Sequence, residues 1–371
     1  MAATVVHVIV SLVHGGAERT LTRVVPDGGR DVDGTRHIVV TLRDGGAFRP
    51  ELDARGVGVI SLGMRPGPSA LLGWWRLVKV LRGCRPELVL TWLYHADLLG
   101  TLAAPFAGSP RLVWNLRGTA KLAAGSPWHT RATVRLLALL SRRPWAVAAN
   151  SRAGRRDHEA IGYRPRRWCY LPNGFDTDVW RAAAQDRVAV RTELGLADDE
   201  VTVVMVARTH HQKDHPTLLA AWRQVNAACP DPARLVLVGA GTEELTAASP
   251  PEDRILALGS REDVPRLLRG CDLVVLSSAY GEGLPNVIGE AMATGLPAVV
   301  TDVGDAARLV DDTGWVVPPG DPDALAAALQ AAITLSESAR IRQGERARQV
   351  IEDRWSLEAS RQAYRRLIEA R

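Results

Sequence analysis

Short apolar runs, each followed by a segment of helical period, recur along this chain and restart once beyond its midpoint. Runs rich in Val, Leu and Ile and bounded by turn residues read as strands buried on both faces, the pattern of parallel sheets. In the first half they fall at Val5–Ser11, His37–Thr41, Val57–Ile60, Leu88–Trp92, Arg111–Asn115, Ala146–Ala149 and Trp168–Leu171. Helical periods lie between them, for example Ala70–Arg82, Ala96–Ala107 and Ala153–Ile161. Leu171-Pro-Asn-Gly-Phe-Asp-Thr-Asp178 interrupts the pattern with turn chemistry. The alternation resumes at Val201–Ala207 and continues through Leu235–Val238, Ile255–Gly259, Asp272–Ser278, Ala298–Thr301 and Gly314–Val317. Helices are expected from about Pro216, Pro322 and Ser338, and an amphipathic one over Ser356–Ala370. This order implies an α/β fold of doubly wound parallel sheets, with ligand crevices at the strand C-termini. A chain of 371 residues is too long for one ordinary core, so two domains are expected.

Charge separates the two halves. Residues 1–178 hold 25 Lys and Arg against 13 Asp and Glu, while the remainder holds 21 against 28. A basic first half suits an anionic partner or surface, and a nucleic-acid partner is not expected. No run of about 18 uncharged apolar residues offers a membrane span. The start of the chain lacks the basic region of a signal peptide and reads as a first strand. Cys84, Cys169, Cys229 and Cys271 show no paired spacing, so neither a disulfide framework nor a metal site is expected. A cytoplasmic location follows, with peripheral contact at the inner membrane face open to the basic half. Trp128–Trp145 is a basic amphipathic stretch that suits either an anionic membrane or a sheet-covering helix with its arginines in solvent.

The richest stretch is Tyr280-Gly-Glu-Gly-Leu-Pro-Asn-Val-Ile-Gly-Glu-Ala-Met-Ala-Thr-Gly-Leu-Pro297, which follows the apolar run Asp272–Ser278. Pro285 suits a first helical position, and Gly295 with Pro297 supplies a stop. Glu282 then sits on the strand-to-helix loop and Glu290 inside the helix. Gly281 and Gly283 let backbone N–H groups approach a ligand, and a helix N-terminus favours an anion. Two carboxylates flanking an anion site suit a phosphate carried between hydroxyl-rich groups.

This stretch resembles the Glu-x7-Glu signature of family 4 retaining glycosyltransferases. The resemblance extends over nearly the whole chain and implies the GT-B architecture: two Rossmann-like domains facing across a cleft, with a final helix crossing back to the first. On that basis residues 1–178 form an acceptor-binding domain, 179–354 a nucleotide-sugar-binding domain, and 355–371 the returning helix. The first Glu of the signature, Glu282, would contact the donor sugar beside Gly283, Leu284, Pro285 and Asn286. The second, Glu290, would hold the ribose hydroxyls. Gly15-Gly16-Ala17-Glu18-Arg19, after the first strand, matches a family element that closes over the donor phosphates.

Arg208 and Lys213 lie after the strand Val201–Ala207, where two fixed cations can hold a diphosphate leaving group. Family members carry an Arg and a Lys there in that role. Related enzymes read the nucleotide base near Ser260-Arg-Glu-Asp-Val264, which places Arg261 among the binding residues. His95, at the end of the strand Leu88–Trp92, is a candidate to position hydroxyls or move protons. Arg117 stands where many family members carry a His, and could instead support phosphate charge or an anionic acceptor. His210, His211 and His215 resemble a metal cluster but lack acidic partners in a ligand pattern. Asp31-Val-Asp33, Asp176-Thr-Asp178 and Asp321-Pro-Asp323 fall in turn-rich connections, and no catalytic metal is expected.

Gly239-Ala-Gly241 lacks the third glycine of a dinucleotide fingerprint, since that position holds Glu244. The resemblance therefore implies retaining transfer of a hexose or N-acetylhexosamine to an acceptor hydroxyl, without a cofactor beyond the donor substrate. The donor is a nucleotide diphosphate sugar, UDP-linked by default. The acceptor is a glycan, a lipid-linked intermediate or a small natural-product core. A nucleotide-sugar epimerase of the same fold and a catalytically silent binding partner are the alternatives.

Overall fold

The computed structural model describes residues 3–13, 15–65, 69–120, 127–228, 233–247, 250 and 253–370. It divides into two compact units, Met1–Gly174 with Leu357–Arg371, and Phe175–Ser356. The division falls four residues before the 178/179 boundary expected from the turn chemistry. Phe175 and Ser356 form an isolated bridge, and the Phe175 amide donates to the Trp355 carbonyl at 2.9 Å, which draws Phe175–Asp178 into the second unit.

The first unit holds a seven-stranded sheet: β1 Thr4–Ile9, β2 Arg36–Thr41, β3 Gly58–Ser61, β4 Leu88–Trp92, β5 Arg111–Leu116, β6 Ala146–Ala149 and β7 Trp168–Tyr170. Their order is β3-β2-β1-β4-β5-β6-β7, and every pairing is parallel. Parallel strands need crossovers, so both faces carry helices and both sets of alternating side chains are buried. Val6, Val8 and Trp114 pack to one side with Leu77, Leu81 and Leu137. Val5, Ile9 and Trp92 pack to the other with Leu21, Leu52, Tyr364 and Leu367. Tyr364 and Leu367 come from the last helix, Leu357–Glu369, which completes this unit's second face.

The second unit repeats the construction with β8 Val201–Val206, β9 Ala233–Val238, β10 Ile255–Ala257, β11 Leu273–Leu276, β12 Ala298–Thr301 and β13 Trp315–Val317. The order is β10-β9-β8-β11-β12-β13, again parallel. Trp222 is buried in the core formed with the helix Pro322–Ile333, and its indole donates to the Asp253 carbonyl at 2.8 Å. An aromatic buried with its polar end satisfied contributes its whole apolar area to the core.

Each unit is thus a doubly wound parallel α/β sheet, as the alternation in the sequence predicts. No helix among the described residues is long and apolar enough to cross a membrane.

Candidate active site

In the second sheet the connections out of β8 and β11 run in opposite directions, so their loops part at the C-terminal edge and leave a crevice. The loops are also tied together. The Ala279 amide donates to the Gln212 carbonyl at 2.9 Å, and Ser277 Oγ donates to the Lys213 carbonyl at 2.9 Å. These bonds set Lys213 opposite Glu282, and Lys213 Nζ donates to Glu282 Oε1 at 2.6 Å. Ser278 Oγ donates to the same oxygen at 2.7 Å, and Thr301 Oγ1 holds the Ser278 carbonyl at 2.7 Å. Both bonds to Glu282 use Oε1, which leaves Oε2 without a partner among the described residues. Glu282 is buried and Lys213 half-buried, so the pair is screened less than a surface ion pair. Sequence reasoning missed Ser278 and Thr301, because only the β11–β12 pairing reveals their support.

Two glycines make this approach possible. Gly281 turns at φ 81°, a region costly for other residues. At Gly239 a Cβ would collide with the Ala207 carbonyl, so only glycine lets the loop after β9 lie against the one after β8. The helix after β11 spans Asn286–Thr294, with Pro285 in extended conformation at its N-cap. Pro285 therefore precedes the helix and does not open it, because its ψ of 112° lies outside the helical region. Gly295 ends the helix in the left-handed conformation at φ 93°. Glu290 is buried within this helix, Leu284 is buried, and Asn286 is half-buried.

Arg208 is exposed on the loop after β8 and pairs with no carboxylate among the described residues. It is thus a cation open to an anionic ligand. The rings of His210 and His211 lie 4.3 Å apart between centroids, tilted by 41°. Partial burial, then His211, Arg208 and Lys213, lower the His210 pKa, so this loop carries its positive charge on Arg208 and Lys213. His215 is buried at the start of the helix His215–Ala228. Among the described residues no group of His, Cys, Asp or Glu is arranged to hold a metal ion.

The Asp-x-Asp matches serve as local caps: Asp31 pairs with His37 at 2.9 Å, Asp176 accepts from the Asp178 amide at 3.0 Å, and Asp321 caps Ala324 at 2.9 Å. Arg261 donates to Asp263 at 2.8 Å and to Glu193 at 2.9 Å, and Arg266 shares both carboxylates. Its hydrogen bonds push the Asp263 pKa down to about 2. The Arg261 side chain is thus committed to this network, which leaves the loop backbone as the part suited to a base.

In the first unit Gly15 caps the helix Gly16–Val24, and both glycines are exposed. The Glu18 carboxylate folds back so closely that a Cβ on Gly15 would collide with it. Burial raises the Glu18 pKa, against a hydrogen bond to its own backbone. A carboxylate therefore already stands at the helix end where the sequence suggests a diphosphate. His14 and Cys229 lie outside the described residues.

His95 begins the helix Tyr94–Ala103 after Leu93, a non-glycine residue at φ 71°, a backbone strain of about 1–3 kcal/mol. Its ring lies 6.1 Å from that of His129. Burial, then His129 and Arg43, lower its pKa and keep it neutral near pH 7. A neutral imidazole can accept a hydroxyl proton.

Arg117 corrects the sequence reading. Its guanidinium donates to the Leu171 carbonyl at 2.8 Å, to Thr20 Oγ1 at 3.2 Å and to Asn173 Oδ1, and it lies 5.6 Å from the Trp92 ring centroid. Tyr364 Oη, from the last helix, is 3.4 Å away. Burial lowers its pKa. These neutral acceptors hold Arg117 as an internal tie of the first unit, not as a group presented to phosphate or acceptor.

The model for Glycosyltransferase Family 4 matches residues 14–179, and the model for Glycosyl transferases group 1 matches residues 200–334. The chain is 26% identical to the UDP-Gal:alpha-D-GlcNAc-diphosphoundecaprenol alpha-1,3-galactosyltransferase of Escherichia coli, over 68% of each chain. It is 32% identical to a GDP-mannose-dependent monoacylated alpha-(1-6)-phosphatidylinositol monomannoside mannosyltransferase of Corynebacterium glutamicum, over 55% of this chain and 56% of that one. The chain spans about half to two thirds of the length of the first curated relatives it matches. Among solved structures, Anabaena HepE in complex with UDP-glucose matches with a TM-score of 0.82 and 25% identity, covering 98% of this chain and 99% of that one. With one family model on each parallel-sheet unit and the GT-B fold throughout, the chain belongs to the family 4 glycosyltransferases.

Proposed function

We propose that the protein transfers a hexose or N-acetylhexosamine, with retention, from a UDP-sugar to an acceptor hydroxyl. The observation that carries this reading is the Lys213–Glu282 pair at the β8/β11 switch point, with the exposed Arg208 on the same loop. Arg208 and Lys213 stabilise the charge that develops on the departing diphosphate, the term expected to dominate catalysis. Lys213 is preorganised for this by Glu282 and exchanges that contact for phosphate oxygens as the donor enters. Glu282 Oε2 accepts from a sugar hydroxyl, and Glu290 anchors the ribose. The diphosphate helps to deprotonate the incoming hydroxyl, so neither an enzymic nucleophile nor a metal is required. A neutral His95 positions the acceptor. UDP is favoured by the ligand of the HepE complex, and a lipid-linked acceptor by the lipid substrates of the two relatives. Such an acceptor brings the basic first unit to an anionic membrane surface.

Thermal stabilisation against UDP-, GDP-, ADP- and TDP-sugars tests the donor site, with Glu290→Ala as control. A shift with UDP-sugars that the variant loses is expected. Stabilisation by GDP-sugars alone would replace the nucleotide, and no shift with any of them would overturn the donor site.

A further inference from the structure

At the N-terminal ends of β5 and β6, the opposite edge of the first sheet from His95, lies a cavity of about 760 Å³. One wall is cationic, formed by Arg143, Arg166 and Arg167, all exposed and none paired with a carboxylate among the described residues. Trp145 stands between Arg167, 4.1 Å from its ring centroid, and Arg111, at 5.5 Å. The other wall is apolar, with Leu102 and Phe106 each 47% exposed.

That wall continues outward. The Phe106 ring lies 6.2 Å from exposed Trp75, and Arg82 Nε donates to the Phe106 carbonyl at 2.5 Å. Acidic residues are sparse on this face: between Asp53 and Asp157 the only ones are Glu87, exposed before β4, and the buried Asp97, and Glu159, in the pocket next to Arg166, is paired with Arg155.

An inorganic anion would use the arginines and leave the apolar wall in water. A headgroup phosphate joined to apolar chains uses both, because arginine and tryptophan suit the boundary between headgroups and acyl chains. We infer that this cavity binds the phosphate of an anionic lipid headgroup, with Phe106, Leu102 and Trp75 resting in the interfacial layer. The inference rests on the membrane association proposed above, not on the transfer chemistry, and because the cavity lies at the opposite sheet edge from His95 it holds the protein at the surface without touching the acceptor.

The test is co-sedimentation of the whole protein with phosphatidylglycerol vesicles and with phosphatidylcholine vesicles, at low and high salt. Binding to the anionic vesicles alone, weakening with salt, is expected. Each arginine at such a surface is worth on the order of a fivefold gain in partitioning, so Arg143→Glu/Arg166→Glu/Arg167→Glu should lose at least ~100-fold. A control with Arg181→Glu, Arg254→Glu and Arg342→Glu, exposed in the second unit, carries the same charge change and should keep most of the binding. Equal loss in both variants, or undiminished binding by the first, overturns the site. So does inorganic phosphate quenching tryptophan fluorescence without any vesicle binding. Stabilisation by UDP-sugar, measured on the same variants, separates failure of this site from failure of the donor site.

Discussion

At the switch point of the second unit, two charged residues meet on loops that the sheet holds open, and a third, Arg208, remains exposed beside them. At the corresponding strand ends of the first unit, half-buried Arg117 donates to neutral oxygens and Glu18 is folded onto its own helix end. Both sheets are parallel and doubly wound, so topology supplies a crevice to each. The difference lies in where the charges spend their hydrogen bonds. In the second unit one cation stays exposed on its loop beside the Lys213–Glu282 pair, while in the first they tie elements of the unit together.

The largest effect separating these uses is on turnover. Lys213→Ala or Arg208→Ala should lower kcat by at least ~100-fold, by analogy with removing one oxyanion donor, with little change in Tm. Normal turnover by both variants would erase the contrast.

Arg117→Met should act in the opposite way. It removes the donor to the Leu171 carbonyl, Asn173 Oδ1 and Thr20 Oγ1, and should lower stability by about 2–4 kcal/mol. Donor affinity, read by titration with UDP-sugar, should stay within about twofold. A stable variant that lost activity would return Arg117 to the site.

Gly289→Ala tests how tightly the Glu290 helix is seated. A Cβ there would collide with the Phe175 ring, which predicts a loss of about 1–3 kcal/mol from overpacking and weaker donor binding by the same variant.

The smallest effect is on pH dependence, and it belongs to the first unit. His7 and His158 have pKa values lowered by burial, with His37 adding to the effect on His7. A folded pKa below the unfolded value of about 6.5 means that the unfolded chain binds the extra protons. Their stabilisation is complete above that value and declines as pH falls below it. Asp97, its pKa raised by burial, works in the opposite sense. His158 Nδ1 faces the Gly154 carbonyl at 2.6 Å and Nε2 the Tyr94 hydroxyl at 2.9 Å, so protonation would reverse the bond with Tyr94, whose hydroxyl would then accept, and place a charge in a buried site. Chemical denaturation between pH 7 and 5 should therefore show a shallower decline for His158→Gln than for the parent, and an identical slope would remove His158 from the account.

The loops that carry the candidate donor residues were legible before any coordinates. Arg208, Lys213 and Glu282 each follow a Val- and Leu-rich run, and a side chain just past such a strand must lie at the crevice edge. Arg117 follows a strand in the same way, yet it points inward. Its environment depends on Tyr364, 247 positions away, and no local pattern carries that information. The partner of Arg261 is hidden from local pattern for the same reason, since Glu193 reaches it from 68 positions earlier. Trp128–Leu140 had two readings, and the structure resolves its Val134 and Leu137 into the core while Leu136 and Leu139 remain exposed.

By itself, then, the sequence determined the two parallel sheets, the order of their elements and the loops on which the charged residues stand. Those follow from hydrophobic period and turn chemistry, which act over a few residues and leave a local trace. Only the tertiary structure decided which charges were spent inside. A charge keeps to the surface or accepts burial according to the partners that packing brings to it, and those partners come from anywhere in the chain.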